Sequence, residues 1–305
     1  MAEAVLIALD WGTTNVRAAL LDSAGMVLEE RKGESGVGHL DEAGFTARFD
    51  ELVSGWPGLP AIACGMVGSR QGWHEAAYCE LPLDVSQLAA KLHRFDSAGR
   101  PIAIVPGVMK DAIDQSDVMR GEETQIAALL AEDPEFDGTI VLPGTHSKWA
   151  RIAKGKLVDF KTYMTGELFD AFAGHTILRH TVEAAELDAD DNIFEVAVGD
   201  VFMTKGSDWG RFFNLRAAAL VGETHPGHMR EKLSGYLVGM ELSSAAQDGF
   251  DVQAVTIIGS GALVNRYTRA LGVLAADVTP RESGDLIWPA LLALARQAGM
   301  TGDDA

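Results

Sequence analysis

The sequence predicts an α/β protein of two domains that share a cleft. Three observations predict it. A strand–turn–strand–turn–strand run opens the chain and recurs near its middle. Strands and helices alternate between and after the two runs. The chain has 305 residues, 47% of them hydrophobic, which is enough for two cores.

The elements follow in order. Ala4 to Asp10 reads as a buried strand, Trp11-Gly12-Thr13-Thr14 as a tight turn, and Asn15 to Asp22 as the return strand. Ser23-Ala24-Gly25 turns again, and Met26 to Lys32 completes the meander. Pro60 to Val67 and Pro101 to Val105 read as buried strands, and Val85 to Phe95 and Glu122 to Ala131 as helices. The second meander runs through Thr139 to Leu142, Lys148 to Ala153 and Lys156 to Thr162. Its first turn is Pro143-Gly144-Thr145-His146-Ser147. The recurrence suggests an internal structural duplication. Glu167 to Phe172 and Arg211 to Val221 have helical spacing. Val252 to Ile258 is a β-branched strand, followed by Gly259-Ser260-Gly261 and a helix from Ala262 to Leu271. Asp285 to Ala298 reads as a closing helix with Pro289 near its start, and the tail from Thr301 as frayed.

Composition excludes several classes. The chain carries 25 basic and 44 acidic residues, a net charge of −19, which opposes general binding to nucleic acid or to anionic membranes. No apolar run approaches the ~20 residues that span a bilayer. The first ten residues lack the basic region of a signal peptide. Cys64 and Cys79 stand outside any metal-ligand spacing and read as buried thiols of a reducing cytoplasm. A soluble, cytoplasmic protein is expected. A small anion is still a permitted ligand, because backbone N–H groups and a few local cations suffice to hold one.

Three motifs carry chemistry. In Asp10-Trp11-Gly12-Thr13-Thr14, the turn offers backbone N–H groups and hydroxyls to phosphate oxygens without side-chain bulk. Asp10, at the strand end, can orient Mg2+ through the ion's water shell. Leu142-Pro143-Gly144-Thr145-His146-Ser147-Lys148 offers a second such loop, with Gly144, Thr145 and Ser147 as phosphate candidates. Ile258-Gly259-Ser260-Gly261 joins a strand to a helix N-terminus, where backbone approaches closely and the helix dipole favours anions. Each motif also occurs as an ordinary turn; their order in one chain gives the nucleotide reading its weight.

Two phosphate hairpins followed by a Gly-rich adenosine loop resemble the actin-like ATPase superfamily, which includes the hexokinase and FGGY sugar kinases. Within it, several stretches resemble the 2-dehydro-3-deoxygalactonokinase family: ALDWGTTNVRAALL from Ala8, GMVGSRQGWHEAAYCE from Gly65, DVMRGEETQIAALL from Asp117, LPGTHSKWARI from Leu142, YMTGELF from Tyr163 and IGSGALVNRYTRAL from Ile258. The resemblance implies two ribonuclease-H-like domains around an interdomain nucleotide cleft. It implies Mg-ATP as cosubstrate and transfer of the γ-phosphate to the terminal 6-hydroxyl of 2-dehydro-3-deoxygalactonate. It also implies a pathway relation to the aldolase that cleaves the product.

An acceptor of that kind needs a carboxylate clamp, hydroxyl partners and a flat apolar wall. Gly68-Ser69-Arg70-Gln71-Gly72-Trp73 supplies the residue types: Arg70 for the carboxylate, Ser69 and Gln71 for hydroxyls, Trp73 for the wall. Arg17 is a second candidate cation. Arg70 in a structural ion pair and Trp73 in the core are the competing readings. In the related kinases the base is an Asp at a helix start shortly before the second hairpin. This chain has Asp117, Glu122 and Glu123 there, so the base stays open among the three. Helix-start acids favoured by the dipole are the plainer reading of the two glutamates. Arg120 can steady phosphate or substrate charge, and Thr165 reads as a helix cap.

The first domain is expected over residues 1–115, completed by the helix at 285–298, and the second over 116–284. The partner is a small sugar acid, with neither nucleic acid nor membrane. Two alternatives remain open at this stage: a kinase for another keto-deoxy acid or sugar, and a nucleotide-dependent module like actin that needs no acceptor clamp.

Overall fold

The opening meander forms as expected. In the computed structural model, which describes residues 3–34, 36–38, 40–183, 192–222 and 224–301, strands β1 (Ala4–Trp11), β2 (Val16–Asp22) and β3 (Val27–Gly33) pair antiparallel. The tail beyond residue 301 lies outside the described residues. Strand β4 (Ala61–Cys64) adds parallel to β1, and β7 (Arg100–Ile104) parallel to β4; β6 (His93–Ser97) closes the edge antiparallel to β7. The sheet order is β3-β2-β1-β4-β7-β6. A three-stranded sheet, β5 (Tyr78–Glu80), β8 (Gly107–Lys110) and β9 (Asp117–Met119), lies in the same unit in the order β5-β8-β9.

The second sheet repeats the plan. Strands β10 (Gly138–Leu142), β11 (Ser147–Ala153) and β12 (Lys156–Tyr163) form one side, and β13 (Ala254–Gly259) and β14 (Asp277–Glu282) continue it in parallel, giving β12-β11-β10-β13-β14. A meander that continues into parallel strands is present twice, once in each sheet. The short β-branched runs at Ile62, Ile102, Val141 and Ile257 suit central strands buried on both faces.

Eight helices are present among the described residues: α1 (Glu42–Leu52), α2 (Glu122–Glu132), α3 (Thr165–His175), α4 (Ile193–Met203), α5 (Arg211–Val221), α6 (Pro226–Gln247), α7 (Gly261–Gly272) and α8 (Ser283–Gln297). Contacts divide the chain into two units. One holds the chain through Asp137, Ile152–Phe160 and the segment from Ser283; the other holds Gly138–Arg151 and Lys161–Glu282. The first unit therefore runs past residue 115, where the sequence suggested a boundary, because α2 packs against α8.

Each unit has its own core. In the first, Trp11, Phe45, Phe49 and Trp73 pack together, with Phe45 and Trp73 stacked at 6.4 Å between ring centroids. In the second, Trp149, Phe194, Val198, Leu242 and Tyr267 pack together. Helix α6 approaches α4 closely because a Cβ at Gly235 would meet Phe194 O at 2.6 Å, and one at Gly239 would meet Val198 O at 2.8 Å. No described helix is long and apolar enough to cross a membrane.

One expected helix is absent. Asp84 caps a 3-10 segment over Val85–Lys91, and His93 to Ser97 is the edge strand β6. The apolar positions that suggested a helix divide between the two: Leu88 is buried under the 3-10 turn, and Phe95 packs edge-on to Trp73 at 5.1 Å.

Candidate active site

In the first unit the candidate residues gather at the carboxyl ends of β1 and β4, where parallel sheets place their ligands. The cross-strand register sets Asp10 opposite Arg17, and Arg17 Nη2 donates to Asp10 Oδ2 at 2.6 Å. The guanidinium also lies 5.4 Å from the Trp288 ring. Arg17 is thus committed to Asp10. The Gly12 N–H donates to Asn15 O at 2.9 Å and closes the turn, leaving Thr13 and Thr14 exposed at its tip. The segment after β3 lies on this turn: Gly36 N–H donates to Thr14 O at 2.8 Å, and a Cβ on Gly36 would fall 2.0 Å from Thr13 O.

The loop expected to meet the acceptor follows β4. Gly65 has φ +91°, and a Cβ there would lie 2.8 Å from Trp11 O, so the position needs glycine twice over. Beyond it Ser69 is buried and its hydroxyl has no partner among the described residues. Arg70 and Gln71 are exposed, and among the described residues Arg70 makes only a long ion pair, 3.6 Å, to Glu75. Trp73, expected as a wall for the acceptor, is instead core: it sits among Trp11, Phe45, Phe49 and Phe95.

Arg120 and the two glutamates meet this loop from α2. Gly121, at φ +112°, comes so close to Gly65 that a Cβ on it would lie 3.4 Å from the Gly65 Cα. Arg120 is buried; its Nη2 donates to Ala76 O at 2.8 Å, and its guanidinium packs on the Gly68 backbone. Glu123 is fully buried, accepting from the Gly121 N–H at 2.7 Å and from the Thr124 hydroxyl at 3.0 Å. Burial, and next the Glu122 charge, push its carboxyl up to about 8. Glu122 is half-buried and accepts from the Arg120 N–H at 3.1 Å. Asp117 lies earlier, on β9, and accepts from the Val118 N–H at 2.8 Å. Burial likewise raises the Cys64 thiol, whose sulfur lies 4.0 Å from Asp10 Oδ1.

In the second unit the two Gly-containing loops are neighbours, because β10 and β13 are adjacent and parallel. A Cβ on Gly259 would meet the Pro143 ring at 3.5 Å. Ser260 is the N-cap residue of α7, leaving the helix N-terminus at Gly261 exposed. A cavity of about 400 Å³ opens beside them, lined by Gly144, Thr145, Gly166, Ser234, Leu263 and Tyr267 among others. Arg230 and Arg266 also line it; Arg266 is held by Glu231 at 2.9 Å and Ser234 at 3.1 Å.

The hairpin Pro143–Ser147 is braced from the start of α3. Glu167 N–H donates to Thr145 O at 3.0 Å, and His146 Nε2 and Glu167 Oε2 are 2.5 Å apart. Two sequence expectations change here. Thr165 is the first residue of α3, after Met164, rather than its cap, and its hydroxyl donates to buried Glu241. Ser147, expected to bind phosphate, is fully buried with its hydroxyl 2.7 Å from the Tyr267 hydroxyl. The sequence reading missed Glu241 and Tyr267. The available signal was a lone acid in the apolar stretch Leu237-Val238-Gly239-Met240-Glu241-Leu242, the pattern of a buried carboxylate with partners.

The family model of 2-keto-3-deoxy-galactonokinase matches residues 10–294. The chain belongs to this family. This family member is 36% identical over 293 residues to "Probable 2-dehydro-3-deoxygalactonokinase DgoK1" of Rhizobium meliloti (strain 1021), covering 95% of this chain and 96% of that one. It is 34% identical over 283 residues to the 2-dehydro-3-deoxygalactonokinase of Escherichia coli (strain K12), covering 90% and 91%. A crystal structure from Sinorhizobium meliloti, described as a 2-dehydro-3-deoxygalactonokinase protein, superposes with a TM-score of 0.90 at 36% identity, over 95% of this chain and 98% of that one. The 2-keto-3-deoxy-galactonokinase assignment makes this chain an ATP-using sugar-acid kinase.

Proposed function

We propose that the chain transfers the γ-phosphate of ATP to the 6-hydroxyl of 2-dehydro-3-deoxygalactonate. The observation that carries this reading is a cavity in the second unit lined by Gly144 and Thr145 and by Leu263, two residues after Gly261, with the two Gly-containing loops on adjacent parallel strands. Backbone N–H groups of the hairpin and the exposed N-terminus of α7 suit the phosphate chain, and the cavity between α6 and α7 suits the adenosine.

The first unit supplies the acceptor side and the metal. Among the described residues no three His, Cys, Asp or Glu side chains cluster as a metal cage. A single carboxylate fits Mg2+, which keeps several waters and takes its other ligands from phosphates. Asp10 is that carboxylate, oriented by Arg17. Bound with ATP, Mg2+ supplies charge neutralisation on the phosphate oxygens.

Arg70 is the clamp for the acceptor carboxylate. Its side chain is exposed and weakly engaged, so it can turn to a bidentate partner. Ser69 and Gln71 meet acceptor hydroxyls. Arg120 holds the loop that carries them, through Ala76 and Gly68.

Glu122 is the base. Glu123 carries its proton at neutral pH and is sealed from solvent, so it neither accepts a proton nor reaches a substrate. Asp117 lies on β9, before the Gly121 turn that faces Gly65. Glu122 is half-buried in the first turn of α2, directly after that Gly121 turn.

The test is coupled ADP release with a panel of keto-deoxy acids and a neutral hexose. ADP formation should depend on the acceptor and favour the acid. Equal turnover with acid and neutral sugar would remove the sugar-acid reading, and equal turnover without any acceptor would remove the kinase reading.

A further inference from the structure

Glu241 is buried on α6, and three side chains of the second unit converge on its carboxylate. Trp149 Nε1 on β11 donates to Oε1 at 2.8 Å. The Tyr267 hydroxyl on α7 donates to Oε2 at 2.7 Å, and the Thr165 hydroxyl at the start of α3 donates to the same oxygen. Burial raises the Glu241 carboxyl, and the hydrogen bonds from Thr165, Trp149 and Tyr267 work against that rise. The proton directions follow. Tyrosine has one hydroxyl proton, and Glu241 takes it; Ser147, 2.7 Å from the Tyr267 oxygen, must then donate to Tyr267. Protons run from Ser147 through Tyr267 to Glu241.

Three members of this array, Ser147, Thr165 and Tyr267, belong to segments that shape the candidate ATP site. Ser147 ends the hairpin that carries Gly144 and Thr145. Thr165 precedes Gly166, whose Cα lies so close to the hairpin that a Cβ would fall 2.6 Å from Gly144 O. Thr165 and Tyr267 themselves line the cavity. We propose that Glu241 is the positioning residue of the phosphate hairpin, fixing Gly144 and Thr145 from behind through Ser147–Tyr267 on one side and Thr165 on the other. The proposal rests on the reading of this cavity as the ATP site.

A buried carboxylate kept only for packing is replaceable by apolar or neutral groups of similar volume. This one is not neutral in its chemistry. Glu241→Gln keeps the shape but removes the charge; with its oxygen on Trp149, its amide N–H groups face the Thr165 and Tyr267 hydroxyls, which must turn to accept and so reverse the proton order of the array. Tyr267→Phe keeps the ring and removes the hydroxyl that joins Ser147 to Glu241, leaving Trp149 and Thr165 on the carboxylate.

The experiment measures KM for ATP, KM for the acceptor, kcat and the thermal midpoint of the full chain for Glu241→Gln, Tyr267→Phe and Leu263→Trp. The last narrows the cavity and replaces no member of the array. Loss of one charge-assisted bond corresponds to about a tenfold or larger effect. Glu241→Gln and Tyr267→Phe should each raise the ATP KM by about that factor, with acceptor KM within about twofold of the parent. Should Glu241→Gln fail to fold, Tyr267→Phe carries the test. An unchanged ATP KM in the folded variants, with Leu263→Trp raising it, overturns the positioning role and leaves the ATP site standing. An unchanged ATP KM in Leu263→Trp as well overturns both. Equal rises in the two KM values would mark a loss of general structure and also overturn the proposal.

Discussion

The Arg120 guanidinium lies 4.3 Å from the centroid of the Tyr78 ring, and this stacking stands where a buried cation ordinarily has a carboxylate. Its Nε and Nη1 have no hydrogen-bond partner among the described residues. The aromatic face offsets part of the desolvation cost, and the Ala76 carbonyl takes one N–H. Arg120 therefore ties the acceptor loop to β5, where Tyr78 sits, and to the turn before α2.

This separates the two arginines experimentally. Arg70→Ala should lower kcat/KM for the acceptor by roughly ten- to a hundredfold, the scale of one charge-assisted hydrogen bond, with ATP KM and stability nearly unchanged. Arg120→Lys loses the planar fork and the stacking, so it should lower stability by about 1–3 kcal/mol as well as acceptor kcat/KM. Urea melts and steady-state kinetics on both variants check this. An Arg70→Ala enzyme with parental acceptor KM would move the clamp elsewhere.

Glu122 and Glu123 differ in exposure, and so in role. Glu122→Gln should lower kcat by roughly a hundredfold or more while ATP affinity is retained, the usual consequence of losing a general base. Asp117→Asn should leave kcat within a few-fold of the parent. Steady-state kinetics for the two variants decide the assignment; a full-rate Glu122→Gln enzyme removes Glu122 as base.

Glu123 also links stability to pH. Its folded-state value is raised from 4.5 to about 8, so the folded chain binds this proton more tightly than the unfolded one. Between those values the folded state carries the extra proton, and stability falls as pH rises, by about 1.4 kcal/mol per pH unit from this group. Above about 8 the loss levels off. Glu123→Gln imitates the protonated acid and removes the slope. Denaturant melts at pH 5, 6, 7 and 8 should show the parent losing stability relative to the variant over this range; parallel curves would contradict the assignment.

Both meanders, the strand to Ile258 and the loops at Gly12, Gly144 and Gly259 were legible in the sequence, because turn residues and β-branched runs mark them locally. Helix α6 was not. It holds Gly227, Gly235 and Gly239, which weaken helical propensity, though Gly235 and Gly239 let α4 approach. Trp73 and Ser147 were misassigned for a related reason. Residue type shows what a side chain can do, whereas burial depends on neighbours such as Phe45, Phe49 and Tyr267 that lie far off in sequence. Glu241 joins α6 to β11, α3 and α7, a relationship no local pattern contains.

Gly166 gives the last prediction. It is the second residue of α3, a position where alanine ordinarily favours a helix by roughly 0.5–1 kcal/mol over glycine. Here a Cβ would fall 2.6 Å from Gly144 O and 2.8 Å from the Thr145 Cα, both backbone atoms with no flexible end to yield. Either α3 or the hairpin must shift. The hairpin is tied to α3 by Glu167 N–H and by His146–Glu167, and α3 to Glu241 by Thr165, so the strain is carried into the loop that faces the cavity. Gly166→Ala should therefore raise the ATP KM by about tenfold or more and lower kcat, since displacement of a positioned phosphate by about 1 Å can cost a hundredfold in rate. The acceptor KM should stay near the parent value, because Ser69, Arg70 and Gln71 belong to the other unit. A stabilised Gly166→Ala protein with parental ATP KM would show that the hairpin moves freely and that its shape does not determine nucleotide binding.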